Sequence, residues 1–213
     1  GAEMVRVKIC GITSWADAKV AIDAGADALG FNFFAKSPRK IGVSHAREII
    51  GHLPRHVSAV GVFVNASAAE VLKIARSVKL GVLQLHGDES PKTVARLARE
   101  FPVIKAFRVG PGFRVNELEK YPSAAAFLLD GSDDQLRGGT GKRFDWRIAK
   151  QAKRFAPVVL AGGLKKANVG KAMRMAKPFA IDVCSGVEAS PRKKDAKKVR
   201  AFMATVKKER KRA

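Results

Sequence analysis

The stretch Val5-Arg6-Val7-Lys8-Ile9-Cys10-Gly11-Ile12-Thr13-Ser14-Trp15-Ala16-Asp17-Ala18-Lys19-Val20-Ala21-Ile22-Asp23-Ala24-Gly25 holds the pattern of the whole chain in one unit. Val5 to Ile9 is short and rich in β-branched residues, the composition of a strand. Ser14 to Ala24 carries apolar residues at helical spacing. Ser14 can cap that helix, Asp17 occupies its third position as in a capping box, and Gly25 stops it. The turn between strand and helix is Cys10-Gly11-Ile12-Thr13. An open, doubly wound sheet usually has about five or six strands and a Gly-rich dinucleotide turn at this point, which the four residues do not supply.

Outward from this unit the alternation continues to the end of the chain. Strands are expected at Val5 to Ile9, Ala28 to Phe33, Ser58 to Val64, Val82 to Leu85, Val103 to Phe107, Ala126 to Leu129, Val158 to Leu160 and Ala180 to Val183. Helices are expected at Ser14 to Ala24, Ser44 to Gly51, Ala68 to Lys79, Ser90 to Glu100, Val115 to Tyr121, Trp146 to Arg154, Asn168 to Ala176 and Asp195 to Arg210. Strand-helix repetition favours a parallel sheet. Eight such units in 213 residues predict a single (β/α)8 TIM barrel of the α/β class, with a parallel eight-stranded core and short loops. One domain over residues 4–213 is expected, because a single core keeps growing up to about 250 to 300 residues. Met4 reads as a natural start, so Gly1 to Glu3 are taken as an added remnant.

Composition narrows the class further. Hydrophobic residues make up 46% and charged residues 28%, ordinary globular usage, which excludes a disordered tail. Cys10 and Cys184 lie far apart with neither metal-ligand nor CxxC spacing, so no metal site is expected and a reducing cytoplasm fits best. No apolar run approaches the roughly 18 residues of a membrane span, and the start lacks signal-peptide character. The formal charge is +22, and it is uneven: residues 134–213 hold 23 basic and 6 acidic side chains. The bland account is a solvated outer face with a charged tail; the functional accounts are attraction of anionic small molecules or of nucleic acid.

In a barrel of this kind the working face is made by the C-terminal ends of the strands and the loops after them. Just past successive strand ends stand Cys10, Asn32, Asn65, His86, Arg108, Asp130, Gly162 with Gly163, and Ser185 with Gly186. Any one could be an ordinary loop residue; eight in order form a pattern. Backbone N–H groups approach a phosphate closely where no Cβ intervenes, so the glycines after the seventh and eighth strands point to a phosphorylated, anionic small-molecule substrate. Gly138-Gly139-Thr140-Gly141-Lys142 lacks the Walker spacing and is read as a flap over the site. Lys8, Cys10 and Asp182 should face the barrel interior, residues two apart in a strand pointing the same way. Because the last strand pairs with the first on closure, an internal Lys8 to Asp182 ion pair is expected beneath the site, with Lys8 available to lower the Cys10 thiol pKa.

The residues also carry a resemblance. Lys8-Ile9-Cys10-Gly11-Ile12-Thr13, Gly25-Ala26-Asp27, Ser37-Pro38-Arg39, Gly61-Val62-Phe63-Val64-Asn65, Gln84-Leu85-His86-Gly87, Leu128-Leu129-Asp130, Phe144-Asp145-Trp146, Ala161-Gly162-Gly163-Leu164 and Asp182 to Glu188 follow one another as in phosphoribosylanthranilate isomerases. The resemblance implies an enzyme of tryptophan biosynthesis that performs an Amadori rearrangement without cofactor or metal. It implies Cys10 as general base, Asp130 as general acid, and Arg39 as the partner of the anthranilate carboxylate. His86 reads as a site-lining residue, and His45, His52, His56, Asp133 and Asp134 as solvent-facing. Lys40 stands where the family often has an aromatic residue, and Cys184 where it often has serine.

Two other readings stay open at this point. Another barrel isomerase acting on a phosphoribosyl compound would be expected to use two carboxylates, where this chain has Cys10 on the first strand. A nucleic-acid-binding protein is suggested by the basic tail, but aromatic residues are only 7% and are not interleaved with it. The high like charge favours a monomer; with aromatics scarce and no membrane-length apolar run, neither a specific nucleic-acid partner nor a membrane partner is expected.

Overall fold

The computed structural model describes residues 4–131 and 145–213. Eight parallel strands close into a barrel in chain order: β1 (Arg6–Ile9), β2 (Ala28–Asn32), β3 (Ser58–Phe63), β4 (Val82–Leu85), β5 (Val103–Arg108), β6 (Ala126–Asp130), β7 (Val158–Ala161) and β8 (Ala180–Val183). Closure is made by β1 against β8, with Lys8 opposite Asp182. The helices are α1 (Trp15–Asp23), α2 (Val43–Gly51), α3 (Ala68–Val78), α4 (Pro91–Ala98), α5 (Trp146–Ala152), α6 (Lys166–Ala176) and α7 (Ala196–Arg210).

Their starts follow local chemistry. Ser14, Ser67 and Ser90 each accept a hydrogen bond from a backbone N–H in the first turn of α1, α3 and α4, and Asp195 does so for α7. Asp17 does not complete the expected capping box on α1. Its Oδ2 instead accepts from Lys194 N at 2.9 Å, tying α1 to the far end of the chain. Gly25 ends the first unit at φ 100°, a left-handed conformation in which glycine meets no Cβ penalty.

Two expectations need correcting. Val115–Lys120 forms a 3-10 helix in place of an α-helix, because it is only six residues long, buries only Leu118 and runs into Pro122 two residues later. The segment after β8 also holds more structure than expected: a 3-10 turn at Ser185–Val187 and a small antiparallel hairpin of β9 (Glu188–Ser190) and β10 (Lys193–Lys194). The expected flap at residues 138–142, Phe144, Asp133 and Asp134 lie outside the described residues.

Alternation along the strands divides the core into two layers. Val7, Ile9, Leu29, Phe31, Phe63, Leu83, Leu85, Phe127 and Leu160 face outward and pack in one continuous cluster with the helices. Ala106, Ala126, Leu128, Val159, Ala161 and Ala180 fill the barrel interior as a separate cluster. The N-terminal mouth opens into a cavity of about 630 Å³ lined by Arg6, Lys8, Val60, Val82, Ile104 and Val159 among others. No helix among the described residues is long and apolar enough to cross a membrane.

Candidate active site

Lys8 sits inside the barrel with its Nζ 3.0 Å from Asp182 Oδ1, the two side chains 4% and 10% exposed. Burial alone would lower the Lys8 pKa, but Asp182 and Cys10 outweigh it and hold the ammonium well above its ordinary range. Cys10 lies one step further along the same inward face, at the end of β1, its N–H bonded to Val183 O at 2.9 Å. Gly30 on β2 makes room for it: a Cβ there would lie 2.5 Å from Cys10 Sγ.

The thiol does not sit below its ordinary range, as Lys8 alone would have placed it. Burial pushes Cys10 up, Lys8 and Lys194 pull it down, Asp182 pushes it up, and the upward effects win. Cys184 is pushed up to about 12, first by burial and then by Cys10 nearby. Both cysteines are free.

Arg39 is drawn toward the same end. Its Nε lies 2.9 Å from Glu188 Oε2 and its Nη2 2.5 Å from Glu188 Oε1, a two-pronged contact along one edge of the guanidinium. Burial works against the Glu188 carboxylate, yet Arg39 and then Lys194 hold its pKa below the usual range. The wholly buried Lys194 ammonium joins the parts: it donates to Cys10 O at 2.5 Å and lies 3.3 Å from Glu188 Oε2 and 3.8 Å from Cys184 Sγ.

Across the barrel, Asp130 ends β6 in register with Arg108 on β5 and Ala161 on β7. His86, just past β4, places Nε2 3.5 Å from Asp130 Oδ2. Behind it Gln84 Nε2 is 2.9 Å from His86 Nδ1.

After β7, Gly162 and Gly163 adopt φ 95° and 64°, conformations open to glycine at little cost, and a Cβ at Gly163 would meet nothing. Asn168 fixes this loop, accepting from Lys165 N and donating to Gly163 O, each at 2.8 Å. At Gly186, after β8, a Cβ would lie 2.0 Å from Leu164 O, so the two glycine loops are packed backbone to backbone. Ser185 beside it is exposed.

A model of the N-(5′-phosphoribosyl)anthranilate isomerase family matches residues 7–205. The chain belongs to that family. A curated N-(5′-phosphoribosyl)anthranilate isomerase of Rubrobacter xylanophilus is 48% identical over 205 residues, covering 96% of this chain and 100% of the relative. The crystal structure of phosphoribosyl anthranilate isomerase from Thermotoga maritima is 42% identical, with a TM-score of 0.88 over 96% of this chain and 100% of that one. A phosphoribosyl anthranilate isomerase in complex with reduced 1-(o-carboxyphenylamino)-1-deoxyribulose 5-phosphate is 40% identical, with a TM-score of 0.86 over 96% and 100% of the two chains.

Within this isomerase-family barrel the structure places Cys10, Arg39, His86, Asp130, Gly162, Gly163, Ser185 and Gly186 at the C-terminal end, over the Lys8–Asp182 pair. Asn32 and Asn65 instead hold loops, Asn32 Oδ1 accepting from Phe34 N within its own loop and Asn65 Oδ1 from Asp88 N in the loop after β4. His45, His52 and His56 are exposed. Sequence reasoning missed Lys194 and the link from Glu188 to Arg39. Lys194 belongs to the run Arg192-Lys193-Lys194, where nothing in composition separates a buried ammonium from its solvated neighbours. Glu188 lay at the end of a recognised motif, but no partner for it was legible. No group of three or more His, Cys, Asp or Glu side chains arranged to hold a metal ion occurs among the described residues.

Proposed function

We propose that the chain converts N-(5-phosphoribosyl)anthranilate to 1-(2-carboxyphenylamino)-1-deoxyribulose 5-phosphate, an aldose-to-ketose isomerisation of tryptophan biosynthesis, with Asp130 as general acid and Cys10 as general base. The observation that carries the reading is that Asp130 ends β6 and Cys10 directly follows β1 at the same mouth of the barrel, within a family match running from residue 7 to residue 205.

Asp130 in its protonated form donates to the furanose ring oxygen. The C1′–O bond breaks toward oxygen, and the anilino nitrogen lone pair forms the C1′=N⁺ bond of an iminium ion. Cys10 as thiolate takes the C2′ proton, and the electrons of that bond make an enolamine and neutralise the nitrogen. Tautomerisation moves a proton to C1′ and releases one from the 2′ oxygen. Two protons are lost and two gained, so the product is an isomer and the chemistry calls on neither cofactor nor metal.

The raised thiol pKa suits this order of events. A thiol that keeps its proton at rest is a weak base, but the iminium ion is a cation formed beside it, which favours the thiolate at the step that needs it.

Arg39 receives the anthranilate carboxylate. Glu188 takes the Nε and Nη2 edge of its guanidinium, which leaves the other edge for a planar anion from the substrate. Backbone N–H groups at Gly162, Gly163, Ser185 and Gly186 receive the phosphate, as their adjoining loops and left-handed glycines allow. His86 lines the site beside Asp130. The reading takes the chain as one domain over residues 4–213, acting as a cytoplasmic monomer with no nucleic-acid or membrane partner.

The test is the fluorescence of freshly prepared phosphoribosylanthranilate. Its decay should accelerate in proportion to protein added; a folded protein that leaves the spontaneous rate unchanged removes this substrate and turns the search to other phosphorylated sugars.

A further inference from the structure

Gln84 is a polar group in the barrel that the mechanism above leaves without a task. It is 1% exposed, and in the ladder it stands between Val62 and Ile104. Its Oε1 has no hydrogen-bond partner among the described residues. A half-satisfied carboxamide among apolar neighbours is destabilising, so packing alone would be better served by an apolar residue of the same size. What Gln84 does contact is His86. The carboxamide Nε2 lies 2.9 Å from His86 Nδ1. His86 follows two residues on and so stands on the same face of the strand. Its other nitrogen, Nε2, lies 3.5 Å from Asp130 Oδ2. A line of three side chains thus runs from the middle of the barrel to the general acid.

We infer that Gln84 is a positioning residue for the acid step: it holds His86 in the tautomer that presents Nε2–H to Asp130. The neutral imidazole carries one proton, on either nitrogen, and the hydrogen bond made by one nitrogen decides the role of the other. The carboxamide N–H donates to Nδ1, which therefore has no proton, and the ring proton sits on Nε2. When Asp130 gives its proton to the ring oxygen it becomes a carboxylate, and Nε2–H is a donor that faces the charge as it develops. At 3.5 Å the contact is longer than a strong hydrogen bond, and a negative charge on Asp130 strengthens it. The opposite tautomer would turn a lone pair toward the new carboxylate and oppose the step. Gln84 touches neither substrate nor Asp130; it works through His86.

The proposal rests on Asp130 being the general acid, and the experiment separates the two. ¹⁵N NMR of the full chain labelled at histidine, with His86 assigned by its loss in His86→Gln, should show a protonated Nε2 and an unprotonated Nδ1; a protonated Nδ1 in a neutral ring overturns the proposal without any variant of Gln84. Gln84→Met is nearly isosteric and leaves the imidazole unlocked, so kcat should fall roughly tenfold or more with little change in KM, because the lost interaction belongs to the transition state. Gln84→Met with His86→Ala should be no slower than His86→Ala alone; additive losses, as from a merely structural role, contradict the proposal. Loss of turnover in Asp130→Ala alongside wild-type kcat in folded Gln84→Met sinks this inference alone. Turnover retained in Asp130→Ala sinks the acid assignment as well.

Discussion

Cys10 carries the sharpest consequence at the scale of single residues. Burial holds its pKa above the ordinary thiol value, while Lys8 and Lys194 pull it back. Activity limited by the thiolate therefore rises with pH, along a limb whose midpoint lies above the ordinary thiol range. Lys8→Met removes one of the two cations that pull the pKa down, so the limb should move further toward alkaline pH; the pH profile of kcat/KM checks this, and a shift toward acid would refute it. The same substitution strands Asp182 in the barrel and should cost about 3–5 kcal/mol of stability. Glu188 gives a second expectation. Glu188→Gln removes the charge that fixes the Arg39 fork, so KM should rise about tenfold, the equivalent of ~1.4 kcal/mol, with kcat little changed. Steady-state kinetics would show the opposite split if Glu188 served the chemical step. Lys8, Cys10 and Asp182 could be placed from the sequence because alternation and barrel closure are rules of geometry. The direction of the Cys10 shift could not, since it is a contest between desolvation and neighbouring charges that only the three-dimensional arrangement decides.

At the scale of elements, strands and helices were legible to within a residue or two because they carry strong periodicity and serine caps. Val115–Lys120 was not: its apolar spacing resembles a helix, yet it is too short to make one. The β9–β10 hairpin was hidden for another reason. Glu188, Lys193 and Lys194 look like surface residues, and only the fold reveals that Asp17 binds Lys194 N and that Lys194 is buried against Cys10 O. The glycine loops make a direct test possible. In Gly186→Ala the new methyl would collide with Leu164 O, forcing apart the loops after β7 and β8. Phosphate recognition should weaken, seen as a higher KM and a higher inhibition constant for inorganic phosphate, while thermal unfolding stays cooperative. Unchanged constants would place the phosphate elsewhere.

For the molecule as a whole, the net charge of +22 has no role in the fold and bears on encounter. An anionic substrate is attracted over a distance set by the Debye length, about 10 Å at 0.1 M salt. The second-order rate constant kcat/KM should therefore fall as ionic strength rises, and a flat dependence would remove steering from the account. The central claim is the assignment of base and acid, and it is tested most directly by the turnover of phosphoribosylanthranilate in the wild type, Cys10→Ser and Asp130→Ala, each shown to be folded. Collapse of turnover in both variants is the predicted result; turnover that survives either change would contradict the role given to that residue.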